Sequence, residues 1–154
     1  GGVRAGQGRD VAVIVVADVR EQADFDQVME EGQGRARYVG ALAHEDPALR
    51  SAYAACSVFV LPSTLETPGL AALEAAATGA RLVVTAEGST EEYFGDMVHY
   101  VDHTAPDDIR TKIQAALATP VAPALREQVL TRFLWPQVVK ELRAVYAAAI
   151  GGTP

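Results

Sequence analysis

The sequence predicts an α/β protein built on a doubly wound parallel sheet, three layers deep in the order α/β/α. Three observations carry that reading. Continuous apolar runs at 11–17, 58–61 and 82–85, rich in β-branched residues, read as buried strands. Between the last two runs an alanine-rich stretch, 68–78, opens on Thr67-Pro68 and stops at Gly79, which is helix start and stop chemistry. Strand, helix and strand with joints this tight make a βαβ unit, whose strands are parallel. With 154 residues and 49% hydrophobic content, residues 1–154 are expected to form one domain with a core of its own.

Taken in order, residues 11–17 form an interior parallel strand. Residues 24–31 form a helix with Phe25, Val28 and Met29 on one face, ended by Gly32. A short strand at 37–40 follows, then a helix from Pro47 to about residue 55, capped by Asp46. After the βαβ unit, Ser89 and Glu92 read S-x-x-E, whose expected role is a capping box. Residues 98–101 are a last short strand. Pro106, Asp107 and Asp108 open a helix with Ile109, Ile113, Ala116 and Leu117 in one stripe. Beyond a proline-rich break at 120–123, Leu125, Val129, Leu130 and Phe133 face inward. Trp135-Pro136 then starts a terminal helix with Val138, Leu142, Val145 and Ala149 on one side. The ends, 1–9 and 151–154, read as loose.

Two acids in the βαβ unit carry the functional reading. Glu66 precedes the helix and Glu74 lies two turns inside it, with seven residues between them. A helix N-terminus at the carboxyl ends of parallel strands favours anions, because its free N–H groups and dipole point at the ligand. Gly69 removes a side chain where a ligand would approach the backbone. At ~1.5 Å per residue, Glu74 is expected roughly 9 Å along the helix. A nucleotide with its pyrophosphate at the N-terminus would offer ribose hydroxyls to Glu74 and a sugar to Glu66.

The stretch P-S-T-L-E-T-P-G-L-A-A-L-E-A-A-A-T-G-A-R-L-V-V-T-A-E-G-S-T-E-E-Y, residues 62–93, resembles the donor-binding half of retaining nucleotide-sugar glycosyltransferases of the GT-B fold, the glycosyl transferases group 1 family. The family's E-x7-E is matched by Glu66 and Glu74, and its glycine turn by Gly88, with Glu87 in place of the first glycine. The resemblance spans residues 11–146 and implies a Rossmann-like domain. It implies transfer of a sugar from a UDP-, GDP- or ADP-sugar to an acceptor hydroxyl, of hexosyltransferase type, with no cofactor and no metal. Glu66 would then be the catalytic candidate, against the donor sugar's hydroxyls near the reacting carbon, and Glu74 would bind ribose. Thr67, Pro68, Gly69 and Leu70 would face the diphosphate, with help from the N–H groups near Gly88. Gly40, Ala41 and Leu42, after the second strand, would border the nucleobase through backbone atoms; an ordinary βα turn is the other reading of those three. Trp135, in the family's aromatic-rich closing segment, is expected as a packing anchor.

The family sets its reaction in a cleft between two domains and opens the second with a strand and helix whose Arg and Lys neutralise the diphosphate. Residues 1–10 do not match that segment. The expectation is therefore a partial domain without the first central strand or the acceptor-binding half, inactive by itself and weak toward donor. In such a sheet, residues 11–17 and 58–61 either pair directly or belong to two half-sheets. The acceptor, a glycan, lipid or small molecule, would be met by the missing half.

Thirteen basic against twenty acidic residues give a net charge of −7, which argues against a nucleic-acid footprint or a polybasic membrane patch. No apolar run approaches the ~20 residues of a membrane span. The single cysteine, Cys56, excludes an internal disulfide and suits a reducing, cytoplasmic setting, with core packing as its expected role. His44, Glu45 and Asp46 lack converging partners for a metal, so Asp46 reads as a cap and His44 as surface. Two other functions fit the same pattern: a non-catalytic nucleotide-binding or partner-docking module, and a sugar-nucleotide epimerase of GT-B architecture.

Overall fold

The computed structural model describes residues 12–17 and 22–151, in two compact units divided after Ala55. Val11 and the stretches expected to be loose, apart from Gly151, lie outside the described residues. The first unit holds β1 (Val13–Val15), α1 (Gln22–Glu31), β2 (Ala36–Tyr38) and α2 (Pro47–Ala55). β1 and β2 pair in parallel, Val13 with Ala36 and Val15 with Tyr38. Phe25 meets the Tyr38 ring edge-on at 4.8 Å, fastening α1 to β2. Asp46 caps α2 as expected: its Oδ1 accepts from the Ala48 N–H at 2.8 Å. β2 begins and ends earlier than the pattern suggested.

The expected interior strand at 11–17 is corrected here. β1 has a single ladder partner among the described residues, and Val13 and Ile14 remain 51% and 52% exposed. A strand is interior only when a neighbour pairs with each edge and layers cover both faces, conditions that an apolar run does not itself guarantee.

The second unit holds β3 (Val58–Leu61), α3 (Leu70–Thr78), β4 (Arg81–Thr85), α4 (Thr90–Phe94), β5 (His99–Val101), α5 (Pro106–Ala118), α6 (Pro123–Arg132) and α7 (Trp135–Ala149). Its sheet runs β3-β4-β5, all parallel, with β4 in the middle. Val83, Val101 and Ala116 form a buried cluster with Val58, Val60, Ile109 and Ile113 against it, so the predicted stripe of α5 seats on the sheet. Side chains alternate along a strand, and Leu82 and Val84, on the other face of β4, are also fully buried. α3 packs on β4 as well. Its Ala72, Ala75 and Ala76 are wholly buried, and their small side chains let helix and sheet approach closely.

α6 packs on α3, its Leu125 and Val129 are buried, and its Arg126 Nε donates to the Ala77 carbonyl at 2.9 Å. Phe133 meets the Tyr93 ring edge-on at 5.2 Å. α7 has no buried residue. Trp135 is 74% exposed and α7 leans chiefly on α6, so among the described residues Trp135 anchors no packing. Among the described residues the strands form two ladders, β1-β2 and β3-β4-β5, in agreement with the half-sheet alternative. No helix is long and apolar enough to cross a membrane among the described residues.

Candidate functional site

The loop after β3 and the first turn of α3 supply the predicted acids, with one correction to the boundary. α3 starts at Leu70 after Gly69, whose φ of 67° is left-handed, so Thr67 is not the N-cap and Pro68 is not the first helical residue. A left-handed bend just ahead of the helix moves its start two residues on, and glycine takes that conformation at little cost. Glu74 therefore stands about 6 Å into the helix rather than roughly 9 Å, one turn inside instead of two. The Gly69 carbonyl accepts from the N–H groups of Ala72 and Leu73, at 2.9 and 3.2 Å. The N–H groups of Leu70 and Ala71 precede those bonds, as the first donors of a helix do. Oε2 of Glu66 lies 3.6 Å from the point where a β-carbon on Gly69 would stand. The half-buried Glu66 carboxylate thus flanks the positive end of α3, a favourable place for negative charge.

A second contact fixes Glu66 from the other side. Its N–H donates to the Glu87 carbonyl at 3.1 Å, and its carbonyl accepts from the Ser89 N–H at 3.0 Å. Together they form an isolated parallel rung, Glu66 with Gly88, beyond the end of the β3–β4 ladder. Gly88 is needed there for space: a β-carbon would overlap the Glu66 carbonyl oxygen and stand 3.0 Å from its carbon. The Ser89–Glu92 capping box is not formed. Ser89 is the N-cap of α4, but its side chain makes no capping bond, and the pair meets through backbone, Glu92 N–H to Ser89 carbonyl at 3.1 Å. The five-residue helix is held instead by Thr90, whose Oγ1 donates to the Thr85 carbonyl at 2.6 Å. The Glu87 N–H donates to Thr85 Oγ1 at 3.2 Å. Both threonines are buried, at 0% and 1% exposure. Sequence reading passed over them; the Ser/Thr residues flanking Gly88 were the available signal, since such hydroxyls bond backbone in turns.

The structure thus brings together Glu66, Gly69 and Gly88, with Leu70 exposed beside them and Glu74 half-buried one turn further along α3. Thr67 and Pro68 are exposed in the same loop. Gly40, with φ of 87°, Ala41 and Leu42 follow β2 in the other unit and are described only there. A small pocket of about 50 Å³ lies elsewhere, where β4 and β5 begin, lined by Gly79, Arg81, His99, Thr119, Leu125 and Arg126. It opens at the opposite end of the sheet from the Glu66 loop and shares none of its residues. Arg81 is occupied there by backbone, donating from Nε to the Thr119 carbonyl at 2.6 Å and from Nη1 to the Ser57 carbonyl at 3.2 Å.

Burial pushes the half-buried Cys56 thiol up, against a smaller lowering by a backbone bond at Val58; such a thiol is a poor nucleophile. Burial, and then the charges of Glu91 and Asp96, push the Tyr100 phenol up to about 12. Its hydroxyl donates to the Gly95 carbonyl at 2.7 Å, which closes the end of α4. No group of three or more His, Cys, Asp or Glu side chains is placed to hold a metal ion among the described residues.

Parallel strands flanked by helices in each unit are a Rossmann-like arrangement of the kind found in the GT-B fold. The chain belongs to the glycosyl transferases group 1 family, whose sequence profile matches residues 3–119. Among solved structures it is similar to the sucrose-phosphate synthase of Thermosynechococcus elongatus, at 24% identity and a TM-score of 0.71, over 92% of this chain and 39% of that one. It is also similar to AviGT4, a glycosyltransferase involved in avilamycin A biosynthesis, at 21% identity and a TM-score of 0.59, over 89% of this chain and 43% of that one. At such identities the likeness is one of fold, and the chain spans about two-fifths of either protein's length. Comparison with curated proteins gives no match.

Proposed function

We propose that this chain is the donor-binding half of a retaining, metal-independent glycosyltransferase of hexosyltransferase type, using a UDP-, GDP- or ADP-sugar and working in the cytoplasm. Family membership supports the reaction class. The observation that carries the assignment of residues is the junction at the tip of α3, where the Glu66 carboxylate, the Gly69 bend and the Gly88 turn meet. In this reading the N–H groups of Gly69, Leu70 and Ala71 take the charge that grows on the departing diphosphate, where preorganised donors lower the barrier most. Thr67 and Pro68 border the same group. Glu66 accepts hydrogen bonds from donor-sugar hydroxyls near the reacting carbon, and Glu74 accepts from the ribose. As the bond from the sugar to the diphosphate breaks, the acceptor oxygen bonds to the same carbon and its proton passes to the leaving phosphate. The acceptor, a glycan, lipid or small molecule, is met by a part of the enzyme beyond this chain, so the chain alone binds donor without turning it over.

Calorimetric titration of the intact native protein with a panel of UDP-, GDP- and ADP-sugars tests the reading. One sugar nucleotide is expected to bind selectively. Glu74→Ala, by removing a charge-assisted hydrogen bond of about 1.5–3 kcal/mol, is expected to weaken it roughly 10- to 100-fold. Equal indifference to every member of the panel overturns the assignment and leaves a docking module.

A further inference from the structure

We propose that Gly88 and Thr90 are positioning residues for the Glu66 carboxylate, in a clamp where the turn after β4 sets the place of the loop after β3. The inference rests on the role proposed for Glu66 above. Glu66 lies in a loop whose neighbours are exposed, Leu65 at 62% and Thr67 and Pro68 also outside, so core packing does not fix it. Its backbone is tied to the sheet by the two bonds of the rung, Glu66 N–H to Glu87 and Ser89 N–H to Glu66.

The rung is not a simple continuation of the ladder. From the pair Leu61–Val84 to the pair Glu66–Gly88 the chain advances five residues on one side and four on the other. The ladder is interrupted between the two pairs and its register slips by one residue, so the position of Glu66 follows from the turn it meets and not from the strand it leaves. That turn is braced from within. Thr90 donates to the Thr85 carbonyl at 2.6 Å, and the Thr85 hydroxyl accepts from Glu87, the residue whose own carbonyl holds Glu66. Both threonines sit in the core. The chain of support runs from buried hydroxyls to turn, from turn to rung, and from rung to carboxylate. Gly88 is where it is tightest. Its φ of 101° strains any other residue, and a β-carbon there runs into the backbone of Glu66 itself, 3.1 Å from its nitrogen and overlapping its carbonyl oxygen. Backbone has no rotamer to yield, so the added atom moves Glu66.

The test uses the intact native protein and follows release of nucleoside diphosphate as water takes the sugar from the sugar nucleotide that titration selects. Gly88→Ala is expected to lower kcat by about 10²-fold, as a misplacement near 1 Å does, with KM changed only a few-fold. In a Glu66→Gln background the same Gly88→Ala change is expected to cost nothing further, because residues acting through one group do not add. Thr90→Val is expected to lower kcat, and Thr90→Ser, which keeps the hydroxyl, to recover most of it. Losses that multiply in the double variant overturn the clamp and leave the donor-binding reading standing. Glu66→Gln with unchanged kcat overturns that reading, and the clamp with it. Should Gly88→Ala fail to fold, the Thr90 pair decides: equal kcat for Val and Ser overturns the clamp.

Discussion

β1 and β4 are written in nearly the same alphabet, V-I-V and R-L-V-V-T, and meet opposite conditions. β4 has a parallel partner on each edge and helices packed on it, and four of its five residues are buried. β1 has one partner among the described residues, and two of its three residues are exposed. The residue types are alike because extended backbone favours β-branched side chains in either place. Burial is decided by neighbours contributed from elsewhere in the chain, so a run of valines announces a strand without saying how deep it lies.

The largest expected effect lies in α4, the helix that follows β4. Phe94, at 0% exposure, is among the bulkiest side chains sealed in the second unit, and Phe94→Ala is expected to cost about 3–5 kcal/mol through lost burial and the cavity left behind. Ile14→Ala in β1 is expected to cost about 1 kcal/mol or less, as half-exposed positions do. Urea midpoints of the two variants measure both, and equal losses would break the contrast between the sealed surroundings of the second unit and the open strand of the first. A smaller, pH-dependent effect belongs to Tyr100, next to buried Val101 on β5. Its folded value, about 12 against an ordinary 10, means that the folded state holds the phenolic proton more tightly. That contribution is complete below pH 10 and fades as pH rises toward 12. Wild-type stability is therefore expected to fall more steeply than that of Tyr100→Phe across this window, in unfolding curves taken at successive pH. The smallest effect is expected in α7: Trp135→Ala, at a position 74% exposed, should move the midpoint by no more than about 0.5 kcal/mol.

Much of the fold was legible because its signals are local. The strands at 58–61 and 82–85, the helix between them, the Asp46 cap and the α5 stripe each rest on residues close in sequence, and all appear close to where they were expected. What escaped depends on distant contacts or on competing local ones. Thr67-Pro68 carries good helix-start chemistry, yet the left-handed Gly69 delays the helix to Leu70. Ser89 and Glu92 have capping-box spacing, yet the buried Thr90 hydroxyl organises that turn instead. Of the candidate site, the acids and glycines were singled out by the helix-start pattern and by the family resemblance of residues 62–93. The rung joining Glu66 to Gly88 was not, because it links residues 22 apart with a register slip that no pattern encodes.

α3 has a left-handed glycine at each end, Gly69 at φ 67° and Gly79 at φ 91°. The nine residues between them cannot gain a turn at either side while those glycines keep their shape. The helical distance at which Glu74 stands from the loop of Glu66 is accordingly set by Gly69, a residue outside the alanines. One residue inserted between Leu70 and Glu74 would swing that side chain roughly 100° around the axis, changing its bearing on Glu66 although the composition of the site had not changed at all.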